Sequence, residues 1–564
     1  MENSDSVCKS QQGIDAPFER VEYLPFAQIP HQTRLFLDYL ENPLRLEKFY
    51  PSPVRSHREL AARIPEVLNN YTVDRNELAD ALKRLNESYG AGAQTLQNIE
   101  KLRRDDCVAV VTGQQAGIFT GALYTIYKAL SVIKVAACLN ARGVRAVPVF
   151  WIATEDHDFE EVAGTFVLNR ENKLAKIEIN ADSQSAGLPV GHISSGESIV
   201  EAIEKLLAEL PQTQFRGEIE RLIRESYKPN LTVGEGFARM MAQLFGKLGL
   251  ILLDPLDEKL KQLAAPIYRS AVEKSAEITS ALTARSRELE NSGYHAQILV
   301  EDDSFPFFLI DEDGKRLALK RNGGKIKARG QRRSLEFDLS ELIRIAENEP
   351  LRLSPKATLR ATVQDFLLPT VCYFGGAAEV AYFAQTAEVY RILERPVTPI
   401  FHRASLTIVE PGVKRILAKY DLAVIDFFTK PEKLLPQIVE RFLNSNVAVV
   451  FEETEEAISK QLDLLTESLI GVEPNLSDNS ERRRRKILWH INALRKKFHR
   501  AELQKNEIAR SRFETAFNSL YPDNNLQERT LNITSLLARH GDNLIDWLFE
   551  AIDADSKEHQ VLFL

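Results

Sequence analysis

The sequence predicts an α/β protein built on a parallel sheet. Three stretches predict it. The first, Val108 to Glu161, reads strand, glycine turn, helix, strand. The second, Leu250 to Asp254, is a short apolar run that ends on an acid before Pro255. The third, Leu367 to Gln385, repeats strand, glycine turn, helix. Short apolar runs between turn signals suit strands buried on both faces, the usual state of a parallel sheet.

Val108 to Val111 is the first such run. Gly113-Gln114-Gln115-Ala116-Gly117 and Thr120-Gly121 lead into a helix over about Ala122 to Leu139, apolar almost all round and so expected to be buried. Gly143 ends it. Val147 to Ile152 is the next strand, and Glu155, Asp156, His157 and Asp158 stand where it stops. In open parallel sheets ligands bind at that edge. The glycine spacing, G-x-x-x-G-x-x-x-G, matches neither the dinucleotide fingerprint nor the phosphate loop. It leaves close backbone approach and free helix-start N–H groups, suited to a carboxylate or another anion.

Before this unit come an irregular lead-in, a helix around Gln32 to Leu40, and a long helical region from His57 to Leu102. After it, a polar insert (Phe166 to Ile193) precedes helices from Glu197 to Lys247. The Leu250 strand is followed by a helix over Glu258 to Ser292. Asp311-Glu312-Asp313-Gly314 signals a hairpin, and Gly323-Gly324 another loop. On the helix after Gly375-Gly376, Glu379, Tyr382 and Gln385 share one face. Val397 to Phe401 is a further strand, ending at His402-Arg403.

The last third changes character. Ile458, Leu462, Leu465, Leu469 and Val472, then Ile487, Ile491, Leu494, Phe498 and Ala501, recur every three or four residues. Two such helices joined by a polar turn predict an antiparallel coiled-coil hairpin. Arg482 to Lys486 reads as a solvated face. The divisions expected are 1–165 (N-terminal helices and first half of the core), 166–248 (first insertion), 249–293 (core), 294–350 (second insertion), 351–450 (second half of the core), 451–520 (coiled-coil hairpin) and 521–564 (C-terminal segment).

With 564 residues the chain is long enough for more than one domain. A formal net charge of −8 argues against a general nucleic-acid or membrane-surface binder. The polar N-terminus carries no signal-peptide pattern, and no apolar run is long enough to span a bilayer. Cys8, Cys107, Cys138 and Cys372 lack metal spacing and read as reduced cytosolic thiols, so a cytoplasmic location is expected.

The acidic cluster allows three chemistries. A carboxylate can orient His157 as a base. Mixed His and carboxylates can bind a divalent metal, although neighbouring strand-end residues point different ways and no metal is predicted. Carboxylates can also hold an ammonium or sugar hydroxyls. A metal-dependent amide or sugar hydrolase and a non-catalytic coiled-coil scaffold remain alternatives.

Several blocks resemble the bacillithiol-biosynthesis cysteine-adding enzymes, the BshC family: TGQQAGIFTGALYTIYKA, VPVFWIATEDHDFEEV, SPKATLRATVQDFLLPT, YFGGAAEVAYFAQ and YPDNNLQER. The resemblance runs nearly the whole chain. Ala122, Tyr127 and Lys356 depart from the family's usual proline, histidine and asparagine. The resemblance implies a Rossmann-like core similar to class I aminoacyl-tRNA synthetases, two connecting insertions and a C-terminal α-helical coiled coil that makes a homodimer. The reaction implied is a ligase step, joining L-cysteine through an amide to the amino group of glucosaminyl malate to complete bacillithiol, with ATP or ADP as the nucleotide. By the same resemblance Gln114, Gln115, Gly117 and Thr120 line the pocket with Glu155, His157 and Asp158, the last three being the catalytic candidates. Arg360, Gln364, Glu379, Tyr382 and Gln385 face them as substrate-binding residues, and Gln527, Glu528 and Arg529 touch nucleotide.

Overall fold

The computed structural model describes residues 17–51, 54, 56–180, 185–329, 334–443, 445–473 and 476–564. Its centre is a five-stranded sheet in which every strand pair is parallel. The expected run forms β1 (Val108–Gln114), buried up to its last residue. Helix α1 (Tyr124–Ala141) follows, buried on nearly every side, then β2 (Ala146–Ile152), wholly buried. The third strand, β3 (Ile251–Leu253), ends at Asp254 and leads into α2 (Glu258–Glu273). Helix α3 (Ala357–Leu367) precedes β4 (Thr370–Gly375), α4 (Ala377–Ile392) and β5 (Ile400–His402).

The strand order is β5-β4-β1-β2-β3. From β1 the chain winds outward to β3, then returns to β4 on the other side of β1. Direction therefore reverses between β1 and β4, and the crevice beyond their carboxyl ends is where such sheets take ligands. Val111 lies opposite Tyr373, and Thr112 Oγ1 donates to the Phe374 carbonyl at 2.7 Å, which fixes the register there.

Both insertions carry small antiparallel sheets. Gly164–Leu168 pairs with Leu174–Glu178, and helices follow. In the second, Ser304–Ile310, Arg316–Asn322, Lys325–Arg329 and Ser334–Phe337 form a meander that Leu353–Pro355 closes beside Ser304–Ile310. The expected hairpin turns at Asp311 to Gly314.

Two helices are shorter than the periodicity suggests. His57 to Leu102 is a 3₁₀ turn and three helices, because Asp74 caps a new start on the N–H groups of Asn76 and Glu77 and Gly90 ends the next helix at φ +80°. The helix expected to Ser292 breaks at Lys274, whose φ/ψ of −90°/13° separates α2 from Ser275–Asn291. The lead-in is not wholly irregular, since Arg20–Pro25 is a strand.

The chain divides into two compact units. One comprises the chain up to Arg170, Leu174–Thr407 and Glu528–Leu562, and holds the parallel sheet. The other comprises Glu171–Lys173, Ile408–Gln527 and Phe563–Leu564. In the second, α5 (Ser445–Ile470) and α6 (Leu476–Lys505) form the expected antiparallel hairpin. Phe451 meets Phe498 at 5.8 Å between ring centroids, and Thr466 bonds Ser480 near the turn. Most of Arg482 to Lys486 is solvent-exposed, as read from the charge run. Among the described residues no helix is long and apolar enough to cross a membrane. Cys107 and Cys372 are free and buried, and Cys138 is buried as well; Cys8 lies outside the described residues.

Candidate active site

A cavity of about 690 Å³ opens beyond the carboxyl ends of β1 and β4, within the range of small-molecule sites. Gln114 and Gln115 enter it from β1, Gly376 to Ala378 from the start of α4. Of the two buried lysines of helix α1, Lys128 reaches the cavity. Lys128 Nζ donates to the Gly113 carbonyl and to Gln114 Oε1, both at 2.7 Å, and pairs with Glu379. Tyr373 donates to Glu379 at 2.6 Å and the Gly376 N–H at 2.7 Å. Burial would raise the Glu379 carboxyl, but Lys128 and these donors hold it below its ordinary range. This cluster ties the end of β1 to the start of α4.

The second wall follows β2. Glu155 is buried and paired with Lys261 of α2, which also donates to the Leu353 carbonyl at 2.7 Å. Asp156 accepts from Gln115 Nε2 at 2.6 Å, Arg316 Nη1 at 3.0 Å and the His157 N–H at 2.8 Å. Burial works to raise its carboxyl; His157, Arg316 and Gln115 together hold it well below the usual range. The His157 side chain is 43% exposed, with Nδ1 3.4 Å from Asp156 and 3.3 Å from Arg316, and its ring stands edge-on to Phe308. Asp156, rather than Glu155 or Asp158, is thus the carboxylate beside the imidazole.

The third wall is built for anions. The N-termini of α3 and α4 both reach the cavity, through Lys356-Ala357 and Gly376 to Ala378. Helix N-termini present free N–H groups and a positive dipole end. Arg360 Nη2 donates to the Tyr382 hydroxyl at 2.9 Å and Nη1 to Gln364 Oε1 at 3.0 Å. Lys356 Nζ donates to Ser304 at 2.9 Å. Three cations of the cavity are neutralised: Lys128 by Glu379, Arg316 by Asp156, and Arg403 by Glu528. Lys356, Arg360 and Arg529 have no carboxylate partner among the described residues. A protein of net negative charge thus lines its cavity with cations that no carboxylate neutralises.

The structure brings Gln114, Gln115, Glu155, His157, Arg360, Glu379 and Tyr382 together on this cavity. The other expected residues sit elsewhere. Gly117 lines a smaller neighbouring cavity. Thr120 is buried at φ +78° and reaches neither; Asn532 Nδ2 clamps the loop by donating to the Phe119 and Gly121 carbonyls at 2.8 and 2.7 Å. Asp158 is exposed and caps a short helix by accepting from the Glu161 N–H. Gln364 stands behind Arg360, donating to Asp365. Gln385 holds Ile298 by its N–H and carbonyl and so positions that wall. Gln527 spends both amide hydrogens on the Ile408 and Ser519 carbonyls and its oxygen on the Ile408 N–H. Glu528 is saturated by Arg403, Ser405 and the Leu406 N–H, so of the last three only Arg529 meets a cavity.

Sequence reasoning passed over Lys128, Arg316, Lys356 and Tyr373. Lys128 is one of two lysines in a helix read as apolar almost all round, and nothing in the pattern separates it from Lys134. Arg316 arrives from a hairpin in the second insertion, and nothing local announces its partner. Among the described residues no group of three or more His, Cys, Asp or Glu is arranged to hold a metal.

Behind Glu528, His559 bridges Ser405 (2.7 Å to Nδ1) and Thr407 (2.8 Å to Nε2), and burial pushes it down to about 4 from an ordinary 6.5. A base whose folded pKa is depressed contributes stability that is complete above 6.5 and is lost as pH falls toward 4. The shift is worth about 3 kcal/mol. Asp254, pushed up to about 6 by burial, opposes this in the same window. The expected result is therefore comparative: denaturation from pH 7 to 4 should show His559→Gln losing less stability than wild type, and parallel curves would contradict it.

Residues 20–404 match the family described as bacillithiol biosynthesis BshC, N-terminal Rossmann-like domain, and residues 406–564 its C-terminal coiled-coil domain. Curated relatives carry the name "Putative cysteine ligase BshC". One from Koribacter versatilis (strain Ellin345) is 35% identical, covering 96% of this chain and 99% of its own. Those from Solibacter usitatus (strain Ellin6076) and Salinibacter ruber (strain DSM 13855 / M31) are each 33% identical, covering 95% and 97% of this chain and 98% and 100% of theirs. With the parallel sheet, the helical hairpin and matches along nearly its full length, this chain belongs to the BshC family of bacillithiol biosynthesis.

Proposed function

We propose that the protein is a ligase that forms the amide between the carboxylate of L-cysteine and the amino group of glucosaminyl malate, the last step of bacillithiol synthesis, with ATP as the activating co-substrate. The names of the relatives support the reaction class. The observation that carries the substrate assignment is the division of the cavity: unneutralised Lys356 and Arg360 beside two helix N-termini on one wall, His157 with Asp156 on another. A substrate with two carboxylates on its malyl group and an amine on its sugar matches that division.

In this reading Lys356, Arg360 and the starts of α3 and α4 hold the malyl carboxylates. His157, steadied by Asp156 and Arg316, takes the proton from the substrate ammonium, freeing the nitrogen lone pair. The nitrogen bonds to the cysteine carbonyl carbon, the carbon–oxygen bond to the phosphorylated oxygen breaks, and the departing phosphate takes the second proton that the nitrogen loses. ATP, when bound, supplies the phosphoryl group that makes that oxygen a leaving group. The unpaired cations suit phosphate as well as carboxylate, so the donor set accommodates it. Exposed Leu464, Leu465, Val472, Trp489 and Leu494 on the α5–α6 hairpin support self-association as a homodimer.

Mass spectrometry of the protein with cysteine, glucosaminyl malate and ATP should show the amide, and none when any one is omitted. His157→Ala is expected to lower kcat by about 10²- to 10⁴-fold. Asp158→Ala, altering only an exposed cap, should change it by less than about threefold. Undiminished turnover by His157→Ala would remove it as the base.

A further inference from the structure

A second cavity, of about 170 Å³, adjoins the first and shares Gln114, Gln115, Tyr124, Glu161 and Arg529 with it. Its remaining wall is mostly small and carries no charge: Gly117, Gly121, Ala122, Thr125, Gly164 and Phe166 among others. Its floor is closed by the approach of two glycines. A Cβ on Gly117 would lie 2.9 Å from the Gly121 Cα, and Gly121 takes φ +68°. It has about a quarter of the larger cavity's volume, so of the two substrates the smaller, the amino acid, suits it better.

Two opposite charges stand on the shared boundary, and they do not pair with each other. Arg529 has no carboxylate partner and Glu161 no cation partner among the described residues. Burial, and then the charges of Asp156 and Asp158, push the Glu161 carboxyl up; burial, and then Arg403, pull the Arg529 guanidinium down. Both ions therefore stand where a counter-charge would relieve them. Gln115 contributes a buried oxygen with no hydrogen-bond partner, while its nitrogen is committed to Asp156.

We propose that this side cavity seats the amino-acid substrate, with Arg529 on its α-carboxylate, Glu161 on its α-ammonium and its side chain among Gly117, Ala122 and Thr125. The assignment rests on the ligase reading above and adds which compartment takes cysteine. Because Arg529 lines both cavities, a carboxylate it holds lies at the junction, within reach of an amine in the larger compartment.

Calorimetric titration of the full-length protein with L-cysteine, cysteamine (no carboxylate) and 3-mercaptopropionate (no ammonium) tests the two charges. Wild type should bind L-cysteine at least about tenfold more tightly than either analogue. Arg529→Met and Glu161→Gln should each weaken L-cysteine about ten- to hundredfold, and raise its KM while that of glucosaminyl malate moves less than about threefold. Ala122→Val, which narrows the wall without touching a charge, should raise the KM for L-cysteine more than that for glycine. A KM increase confined to ATP or glucosaminyl malate in Arg529→Met, or unchanged discrimination in Ala122→Val, would overturn the proposal and leave the ligase reading standing. Tight L-cysteine binding with no amide product would instead overturn the ligase reading and leave the compartment in place.

Discussion

Arg360→Met is expected to lower kcat/KM for glucosaminyl malate by about a thousandfold. The guanidinium is held by Tyr382 and Gln364, two neutral groups, and has no carboxylate partner among the described residues. Burial opposes the Arg360 charge, although the hydroxyls of Tyr382 and Tyr373 and the Glu379 carboxylate raise its pKa overall. A half-buried cation without a close counter-ion is costly unless a ligand brings the negative charge. A forked contact to a carboxylate is among the stronger hydrogen-bonded pairs, and losing it in the transition state accounts for about 4 kcal/mol. Methionine keeps most of the volume. Because both protein partners are neutral, stability should fall by no more than about 2 kcal/mol. Arg360→Lys, retaining the charge without the fork, should recover part of the loss. Steady-state rates measure the first effect and denaturation the second. A variant within threefold of wild type would take Arg360 out of substrate binding.

Glu528→Gln should act in the opposite way, on the fold. Its two oxygens accept from Arg403 at 2.7 and 3.0 Å, from Ser405 at 2.9 Å and from the Leu406 N–H at 2.9 Å. Both partners of the ion pair are nearly sealed from water, at 4% and 2% side-chain exposure. Burial would raise the Glu528 carboxyl, yet Arg403 holds it at about 2. An amide offers one acceptor oxygen and turns an N–H₂ toward the guanidinium. Removing one partner of a buried pair typically costs about 3–5 kcal/mol. The denaturant midpoint of the unit that contains the sheet should drop accordingly. A nucleotide ligand at this position would predict the reverse, lost ATP binding with stability kept, so the two measurements decide between the roles.

The parallel sheet was readable because its strands are short, apolar and buried on both faces, so β1, β2 and β3 each stand out between turn signals. The cavity edge was readable for the same reason, since polar residues collect where those runs stop: Gln114, Gln115, Glu155 and His157 all line it. What pairs with what was not. Asp156 looked equivalent to Glu155 and Asp158 in sequence. Only the fold shows one facing His157, one sealed against Lys261 and one capping a turn. Arg316 and Arg529 come from segments far along the chain, where no periodicity marks a destination. Lys128 was hidden by its own surroundings, a charge inside a helix read as uniformly apolar.

Residues 528 to 532 serve the site at the sheet's edge. Arg529 walls the cavity, Glu528 locks the Arg403 turn, and Asn532 holds the Phe119–Gly121 loop in its left-handed conformation. A polypeptide cut before Glu528 would keep every strand of the parallel sheet and still lack a wall of the cavity, so such a fragment should lose the site before it loses the sheet.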